Sequence, residues 1–259
     1  MTEHPGFGTM PARLLDHREL GAQQLADRAG LDADEVRSVL SGRGPDAEPL
    51  RRLAPAPGFH AVDLFALAGA AVPEDMAPLD AAAAPWVKNT VTDTARLPAA
   101  ERRALLRLIR SLPQEERRSG FAPNPPLPLA AGHGASVIRM LQYRNLSWVG
   151  MAHALASVTP TYLSAATYGV IGAGRTELTP RLVADIAALL GIGARDLAAL
   201  TGVVLHEAPP PPAPEATDIA AILWEARRLS AEQAQHVSEL ARSLRKGCCD
   251  RHLADRPGP

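Results

Sequence analysis

An internal repeat constrains the fold of this chain more than any other feature of its sequence. Three pairs of segments match in the same order along the chain: 20–42 with 146–169, 58–69 with 191–202, and 95–112 with 227–244. The last two pairs are offset by 133 and 132 residues, and the first pair needs one inserted residue near Ala156. Ordered matches at nearly one offset predict a duplicated structural unit.

The composition favours helices as the building material of that unit. Hydrophobic residues make up 46% of the 259 residues, but aromatic residues only 4%. Alanine and leucine must therefore form most of the core, while β-branched and aromatic residues are too sparse for a large sheet. Helix signals recur along the chain, such as Asp32 with Glu35 three residues later, which is a capping box, and Ser230 before Ala231. We expect an all-α protein.

Two proline-rich stretches, 121–132 and 206–215, divide the chain. Such stretches favour extended conformations and act as semi-rigid spacers. Between them lie a first segment of short helices up to residue 120 and a second helical segment over 133–205. Two helices are predicted after the second spacer, followed by a tail of glycine, proline and charged residues.

The stretch Thr167–Pro180, "TYGVIGAGRTELTP", has the Gly-x-Gly of a dinucleotide-binding turn. Glu177 stands where the third glycine of that motif should be, and no second strand with a ribose-binding acid follows about twenty residues on. The matching stretch of the first copy is a helix end, a glycine-containing loop and the next helix. The sequence therefore predicts no nucleotide site here.

The second copy carries a resemblance to a known family. Its pattern is a Leu-Ser helix start at Leu146 and Ser147, an apolar-Ala pair at Met151 and Ala152, a Thr-Pro-x-Tyr-Leu-Ser stretch from Thr159 to Ser164, and a Leu-Gly-Ile turn at 190–192. This pattern resembles the Cro/repressor-type (XRE-like) helix-turn-helix domain, a bundle of five helices. The first copy resembles it through Leu25, Ala26, Gly30, Leu31, Val36, Gly42 and Leu53.

The resemblance implies two such domains, and the chain outside it predicts a helical hairpin after each. The expected domain boundaries are as follows: 1–70 for the first helix-turn-helix domain, 71–120 for the first hairpin, 121–132 for a linker, 133–205 for the second helix-turn-helix domain, 206–215 for a second linker, 216–246 for the second hairpin, and 247–259 for a flexible tail.

The resemblance also implies double-stranded DNA as the partner and transcriptional regulation as the function. In such domains the second helix braces against phosphates and the third presents its N-terminal side chains to the major groove. In the second copy we expect the third helix to begin around Thr159. The residues expected to contact DNA are Ser147, Thr159, Thr161, Tyr162, Ser164, Arg144 and Arg175. Residues 133–203 hold five arginines and three acids, a net charge of +2. The alternative is that Thr161 and Tyr162 are ordinary surface or packing residues.

The first copy is less suited to DNA. Asp32, Asp34 and Glu35 begin its third helix and would repel phosphates, and only Arg37, Ser38 and Arg43 favour DNA there. The same acids are also ordinary residues for a helix N-terminus. We expect this copy to serve packing or a protein partner. The alternative function for the whole chain is therefore a protein-interaction or scaffold module without DNA binding. A continuous surface formed by Arg139, Arg144, Arg175 and Arg181 would indicate DNA binding, whereas an apolar or acidic patch would indicate the interaction module.

The hairpins carry apolar stripes that predict a further interface. Residues at helical spacing form these stripes, namely Leu105, Leu108, Ile109 and Leu112 in the first hairpin and Val237, Leu240 and Leu244 in the second. Stripes of this kind are typical of helices that face a core. Either the two hairpins pack together as a four-helix bundle, giving a built-in pseudo-dimer, or the stripes bind a protein partner or a second chain.

No pattern in the chain indicates catalysis, a cofactor or a metal. The "CCDRH" stretch at 248–252 lacks the Cys-x-x-Cys spacing that tetrahedral metal sites prefer, so a tail is the better interpretation for Cys248 and Cys249 than a metal or redox site. The N-terminal residues have no secretory pattern, and no apolar run approaches the length of a membrane span. We expect a cytoplasmic protein with no membrane partner, and not an enzyme.

Overall fold

The computed structural model describes residues 9–41, 47–123 and 132–254. These ranges are helical and contain no strand, which confirms the expected all-α class. None of the helices described is both long and apolar enough to cross a membrane. The elements follow in this order: α1 (Thr9–His17), α2 (Ala22–Ala29), α3 (Ala33–Leu40), α4 (Ala47–Leu53), α5 (Ala61–Ala68), a 3₁₀ turn (Ala81–Ala83), α6 (Ala84–Thr94), α7 (Ala99–Ser111), α8 (His133–Gln142), α9 (Trp148–Val158), α10 (Ala165–Gly172), α11 (Pro180–Leu190), α12 (Ala194–Thr201), α13 (Pro214–Ala226) and α14 (Ala231–Ala254).

Local sequence signals explain where several helices begin. The Asp32 carboxylate accepts from the Asp34 amide at 2.9 Å, and Glu35 accepts from the Asp32 amide at 3.0 Å, which is the predicted capping box of α3. Ser230 caps α14 by accepting from the Gln233 amide at 3.3 Å. These side chains satisfy amides that have no partner inside the helix.

Helices α1–α5, here called unit one, and α8–α12, called unit two, pack against each other in a reciprocal way. The first helix of unit one, α1, lies on the last helix of unit two, α12, while α8 lies on α5. Reciprocal contacts of this kind are what an approximate two-fold relation between two similar units produces. A gene duplication as the origin of that relation stays a prediction.

Two arginine–aspartate pairs show the same reciprocal arrangement, one at each of the two contacts between the units. Arg18 of unit one donates through Nε and Nη2 to Asp196 on α12, at 2.9 and 2.6 Å. Arg144 of unit two pairs with Asp63 on α5, with both N–O distances 2.9 Å. Each arginine is followed by a residue with positive φ, Glu19 at 52° and Asn145 at 59°. The paired elements therefore share both their chemistry and an uncommon backbone conformation.

The fifth helix of each unit ends in the same way. Gly69 and Gly202 both have positive φ, at 65° and 70°. A Cβ built on Gly202 would lie 2.6 Å from Nη1 of Arg13, which comes from α1 of the other unit. The left-handed backbone favours glycine at both positions, and at position 202 a larger residue would also displace the Arg13 guanidinium group.

The two hairpins, α6–α7 and α13–α14, pack on each other rather than on themselves. The main contacts join α6 to α14 and α7 to α13. Arg102 on α7 pairs with Asp218 on α13 at 2.7 Å, and Asp80 before the 3₁₀ turn accepts from the Ala231 amide of α14 at 2.9 Å. The predicted contact between hairpins is thus confirmed within one chain, and each hairpin depends on the other for its core.

A cluster of rings and guanidinium groups joins unit one, unit two and α13. The His60 and Trp224 rings stack with centroids 3.4 Å apart and nearly parallel planes. The guanidinium carbons of Arg227 and Arg144 lie 3.7 and 4.7 Å from the Trp224 ring centroid. Arg144 is fully buried together with its partner Asp63. Stacked cations and a buried ion pair therefore meet at the junction of the three parts.

We predict that Asp63→Ala destabilises the protein far more than Asp196→Ala. The first change leaves the Arg144 charge buried without a partner, a loss of about 3–5 kcal/mol in the free energy of unfolding. In the matched pair, Arg18 is 30% exposed, so water can replace Asp196 and the loss should be about 1 kcal/mol. Urea denaturation of both variants measures the difference, and equal losses would contradict the assigned role of burial.

We predict that protonation of His60 destabilises the fold in acid. Burial, reinforced by the nearby Arg144 and Arg227 charges, lowers the pKa of His60 to about 4 from an ordinary value of 6.5. The unfolded chain therefore takes up a proton that the folded chain refuses, so stability is lost as the pH falls from 6.5 towards 4. His60→Phe keeps a ring against Trp224 without a titrating group and should unfold with a shallower pH dependence. Identical slopes for the two proteins over this range would refute the prediction.

Candidate nucleic-acid interface

The turn between α9 and α10 carries an exposed tyrosine on a tightly bonded backbone. Thr159 has the extended angles φ −137° and ψ 163°, as expected for a residue before proline, and Pro160 has no amide to continue the helix. The Thr159 hydroxyl donates to the Leu155 carbonyl at 2.8 Å and accepts from the Thr161 amide at 3.2 Å. Helix α9 ends at Val158 for these reasons.

The start of the following helix differs from the sequence-based expectation. Residues 159–164 form the turn, and α10 begins at Ala165 with Ser164 as its N-cap. The prediction that Thr159, Thr161 and Tyr162 begin this helix is therefore wrong, because Pro160 stops one helix and the next begins only after Ser164. Unit one spans the corresponding connection with residues 30–32 alone, so the longer turn belongs to unit two.

Thr161 fixes the turn from its inner side. Its side chain is buried, and its hydroxyl donates to the Asp185 carboxylate on α11 at hydrogen-bond distance. Tyr162, the next residue, points outward and is 89% exposed. The structure thus assigns Thr161 to packing and leaves Tyr162 free to contact a partner.

The first turn of α10 has open amide groups. Ser164 is exposed, but its hydroxyl bonds to the Thr167 hydroxyl at 3.0 Å and does not cap a backbone amide. Uncapped amides at a helix N-terminus attract anions such as phosphate oxygens. Ser147, by contrast, is the N-cap of α9 and accepts from the Gly150 amide at 3.2 Å, as its Leu-Ser context predicts.

The arginines of unit two separate into exposed and inward-facing groups. Arg175, in the loop after α10, is exposed, and so is Arg181 at the start of α11, with 66% of its side chain accessible. Arg144 is wholly buried against Asp63, so the prediction that it contacts DNA is wrong. Arg139 is half-buried and donates to the Ala66 carbonyl at 3.4 Å. The continuous four-arginine surface expected of a DNA reader is therefore not formed, because two of its members hold the units together.

The corresponding face of unit one is acidic. Arg37 is exposed but pairs with Asp34 one turn away, and Ser38 is exposed beside it. Asp32 and Glu35 form the capping box of α3 described above. Arg43 lies outside the described residues. Acids on the first turn of α3 surround the single described arginine of this helix, which makes the face a poor match for phosphate.

Sequence reasoning missed two features of this region. Val149, on the first turn of α9, is 49% exposed and adds an apolar side chain to the outer surface of that helix. Helical spacing places Val149 outside the buried stripe of Met151, Ala154 and Leu155, so its exposure could have been predicted from the sequence. Asp185 holds the turn through Thr161, a contact between residues 24 positions apart that no local pattern announces.

We predict that Thr161→Val loosens the turn without unfolding the protein. The change removes the donor to Asp185 and leaves a carboxylate that is only 14% exposed with one partner fewer, at a loss of about 1–3 kcal/mol in the free energy of unfolding. Ser164→Ala, which removes only an exposed hydroxyl, is the control and should change stability by less than about 0.5 kcal/mol. Thermal denaturation of both variants tests this. Equal melting temperatures for the two variants would argue against a stabilising role for the hydrogen bond between Thr161 and Asp185.

Comparison with known proteins adds no name to this geometry. No protein-family model matches the chain, and no curated protein or solved structure matches it significantly.

Proposed function

We propose that the protein is a sequence-specific DNA-binding transcriptional regulator that reads DNA through unit two, a helix-turn-helix domain of the Cro/repressor type. The observation that carries the proposal is the α9–turn–α10 arrangement, in which Tyr162 on the turn is 89% exposed and the start of α10 has no side-chain cap. The same unit has two exposed arginines, Arg175 after α10 and Arg181 at the start of α11. Helix α10 would enter the major groove, and α9 would brace against the backbone.

The residues divide naturally between phosphate and base contacts. Arg175, Arg181, Ser147 and the amides of α10 suit phosphate oxygens, which give affinity without sequence information. The Tyr162 hydroxyl and the Thr167 side chain offer hydrogen bonds to base edges. Ala165 and Ala166 at the start of α10 are small and apolar, so they favour close approach to a thymine methyl group.

The reciprocal packing of the units supports a built-in pair of DNA-binding domains. Repressor-type domains use two-fold symmetric dimers to read two half-sites. Here α1 on α12 and α8 on α5 hold the two units in a comparable relation inside one chain. The acidic face of unit one makes the pair unequal, so unit two would carry most of the recognition.

A protein-interaction module without DNA binding is the second candidate, and one observation favours it. Arg139 and Arg144 face inward, while Val149 at the start of α9 and Tyr162 beyond its end are exposed. Exposed apolar and aromatic side chains on this helix and turn favour contacts with a protein partner.

Selection of genomic DNA fragments by the purified full-length protein, at near-physiological salt, distinguishes the two functions. An enriched motif that Tyr162→Ala abolishes supports the regulator. Absence of any enriched motif, with the protein shown to be folded by circular dichroism, would favour the interaction module and direct the search to protein partners.

We predict that Arg175→Ala and Arg181→Ala each weaken DNA binding and reduce its salt dependence. Loss of one phosphate contact lowers the slope of log affinity against log salt by about 1, uniformly across sequences. Arg107→Ala is the matched control, since Arg107 is exposed on α7 in the hairpin bundle and should leave both quantities unchanged. Fluorescence anisotropy across a salt series measures the slopes. Unchanged slopes for both unit-two variants would remove these arginines from the interface.

A further inference from the structure

A groove of about 960 Å³ opens between unit two and the proline-rich segment that leads to α13. Its walls are largely apolar and come mainly from the end of α9 with its turn, from α11 with the turn that follows it, and from the segment 205–213, with Thr217 added from α13. Val158, Pro160, Ala184, Ala188, Ile192 and Leu205 are among the side chains that line it. A groove of this volume accommodates a drug-sized molecule, and apolar walls are typical of small-molecule sites.

The polar groups in the groove are few, and acids outnumber arginines. Arg181 and Asp185 face it from α11, Thr159 from the turn, Thr217 from α13, and His206 and Glu207 from the proline-rich segment. Two carboxylates therefore face the groove with one guanidinium group. His206 is exposed.

Asp185 is the polar group best placed to hold a ligand. Its side chain is only 14% exposed, so a charge paired with it would be shielded from water. One carboxylate oxygen accepts from the Thr161 hydroxyl. The Arg181 Nε atom lies 3.9 Å from that same oxygen, beyond hydrogen-bond distance, and the Arg181 side chain is 66% exposed. The carboxylate thus has one hydrogen bond and one long ion pair with an exposed arginine, beside an apolar wall.

We propose that this groove binds a small apolar molecule that carries a cationic amine, with the ammonium group on Asp185. The ammonium donates to the carboxylate, while the apolar body lies against the alanine and proline walls. Arg181 is exposed enough to turn towards water when the ammonium enters. This binding does not depend on the proposed DNA-binding function.

A ligand on Asp185 would also act on the α9–α10 turn. The carboxylate that receives the ammonium is the one that holds Thr161, and Thr161 is next to Tyr162. Occupation of the groove therefore changes the hydrogen bond that fixes the turn. Its effect on DNA affinity rests on the proposed function, whereas binding itself is measured without DNA.

The test uses three probes of equal chain length, octylamine, octanol and octanoate, titrated into the full-length protein at pH 7 and followed by calorimetry. We expect octylamine to bind at least about tenfold more tightly than either of the others. Asp185→Asn should reduce that affinity at least about tenfold. Asparagine keeps an acceptor for Thr161, so the turn and the fold are retained. Glu177→Gln, which removes an acid outside the groove in the same unit, is the control and should bind octylamine like the unchanged protein.

A second variant locates the site. Ala188→Phe fills the groove from α11 and should abolish binding of octylamine, with Ala184→Phe as a substitute if the first variant does not fold. Octanoate binding as tightly as octylamine, no octylamine binding at all, or unchanged octylamine binding in the filled variants would each overturn the proposal.

Discussion

The buried pair of Arg144 and Asp63 is the interaction on which the arrangement of the three helical parts depends. Two charges without access to water are tolerated only when each satisfies the other in a fixed geometry. Asp63 belongs to α5 of unit one, while Arg144 follows α8 of unit two, so the pair fixes how one unit sits on the other. The Trp224 ring then places α13 against the Arg144 guanidinium, which extends the same constraint to the hairpins.

The equivalent pair, Arg18 with Asp196, shows how two similar interfaces come to differ. Arg18 makes two hydrogen bonds to Asp196 where Arg144 makes one to Asp63, yet 30% of the Arg18 side chain and 16% of the Asp196 side chain remain exposed. The difference follows from what covers each pair, since Trp224 of α13 covers Arg144. The hairpins therefore cover one of the two equivalent interfaces. They also pack on unit two, where α9 contacts α6 and α11 contacts α13.

Much of this fold was predictable from the sequence because its signals are local. The capping box at Asp32 and Glu35, the Ser230 cap and the apolar stripes of the hairpins all act within one or two helical turns. Both caps are found where expected. Of the stripe residues, Leu105, Ile109 and Val237 are buried in the core, whereas Leu244 is only half-buried and does not belong to it. The start of α10 was not predicted, although Pro160 gave the signal. Arginine charge was the most misleading guide, because sequence counts Arg144 and Arg175 alike, whereas one is buried against Asp63 and the other is exposed. Only tertiary contacts across more than 80 positions separate them.

The same contacts bear on what unit two can do at its surface. An arginine that is buried between the two units cannot also contact a DNA phosphate. The arginines that stabilise the contact between the units therefore do not add positive charge to the outer face. Unit two retains Arg175 and Arg181 as exposed cations, and Tyr162 is exposed on the α9–α10 turn. A surface of that kind gives modest electrostatic affinity and relies on the shape of the turn for selectivity. The contact from Thr161 to Asp185 joins the turn to α11, and Asp185 also faces the groove. A ligand that changes the hydrogen bonding of the Asp185 carboxylate would therefore act on the α9–α10 turn, which is the part of the surface proposed to select among DNA targets.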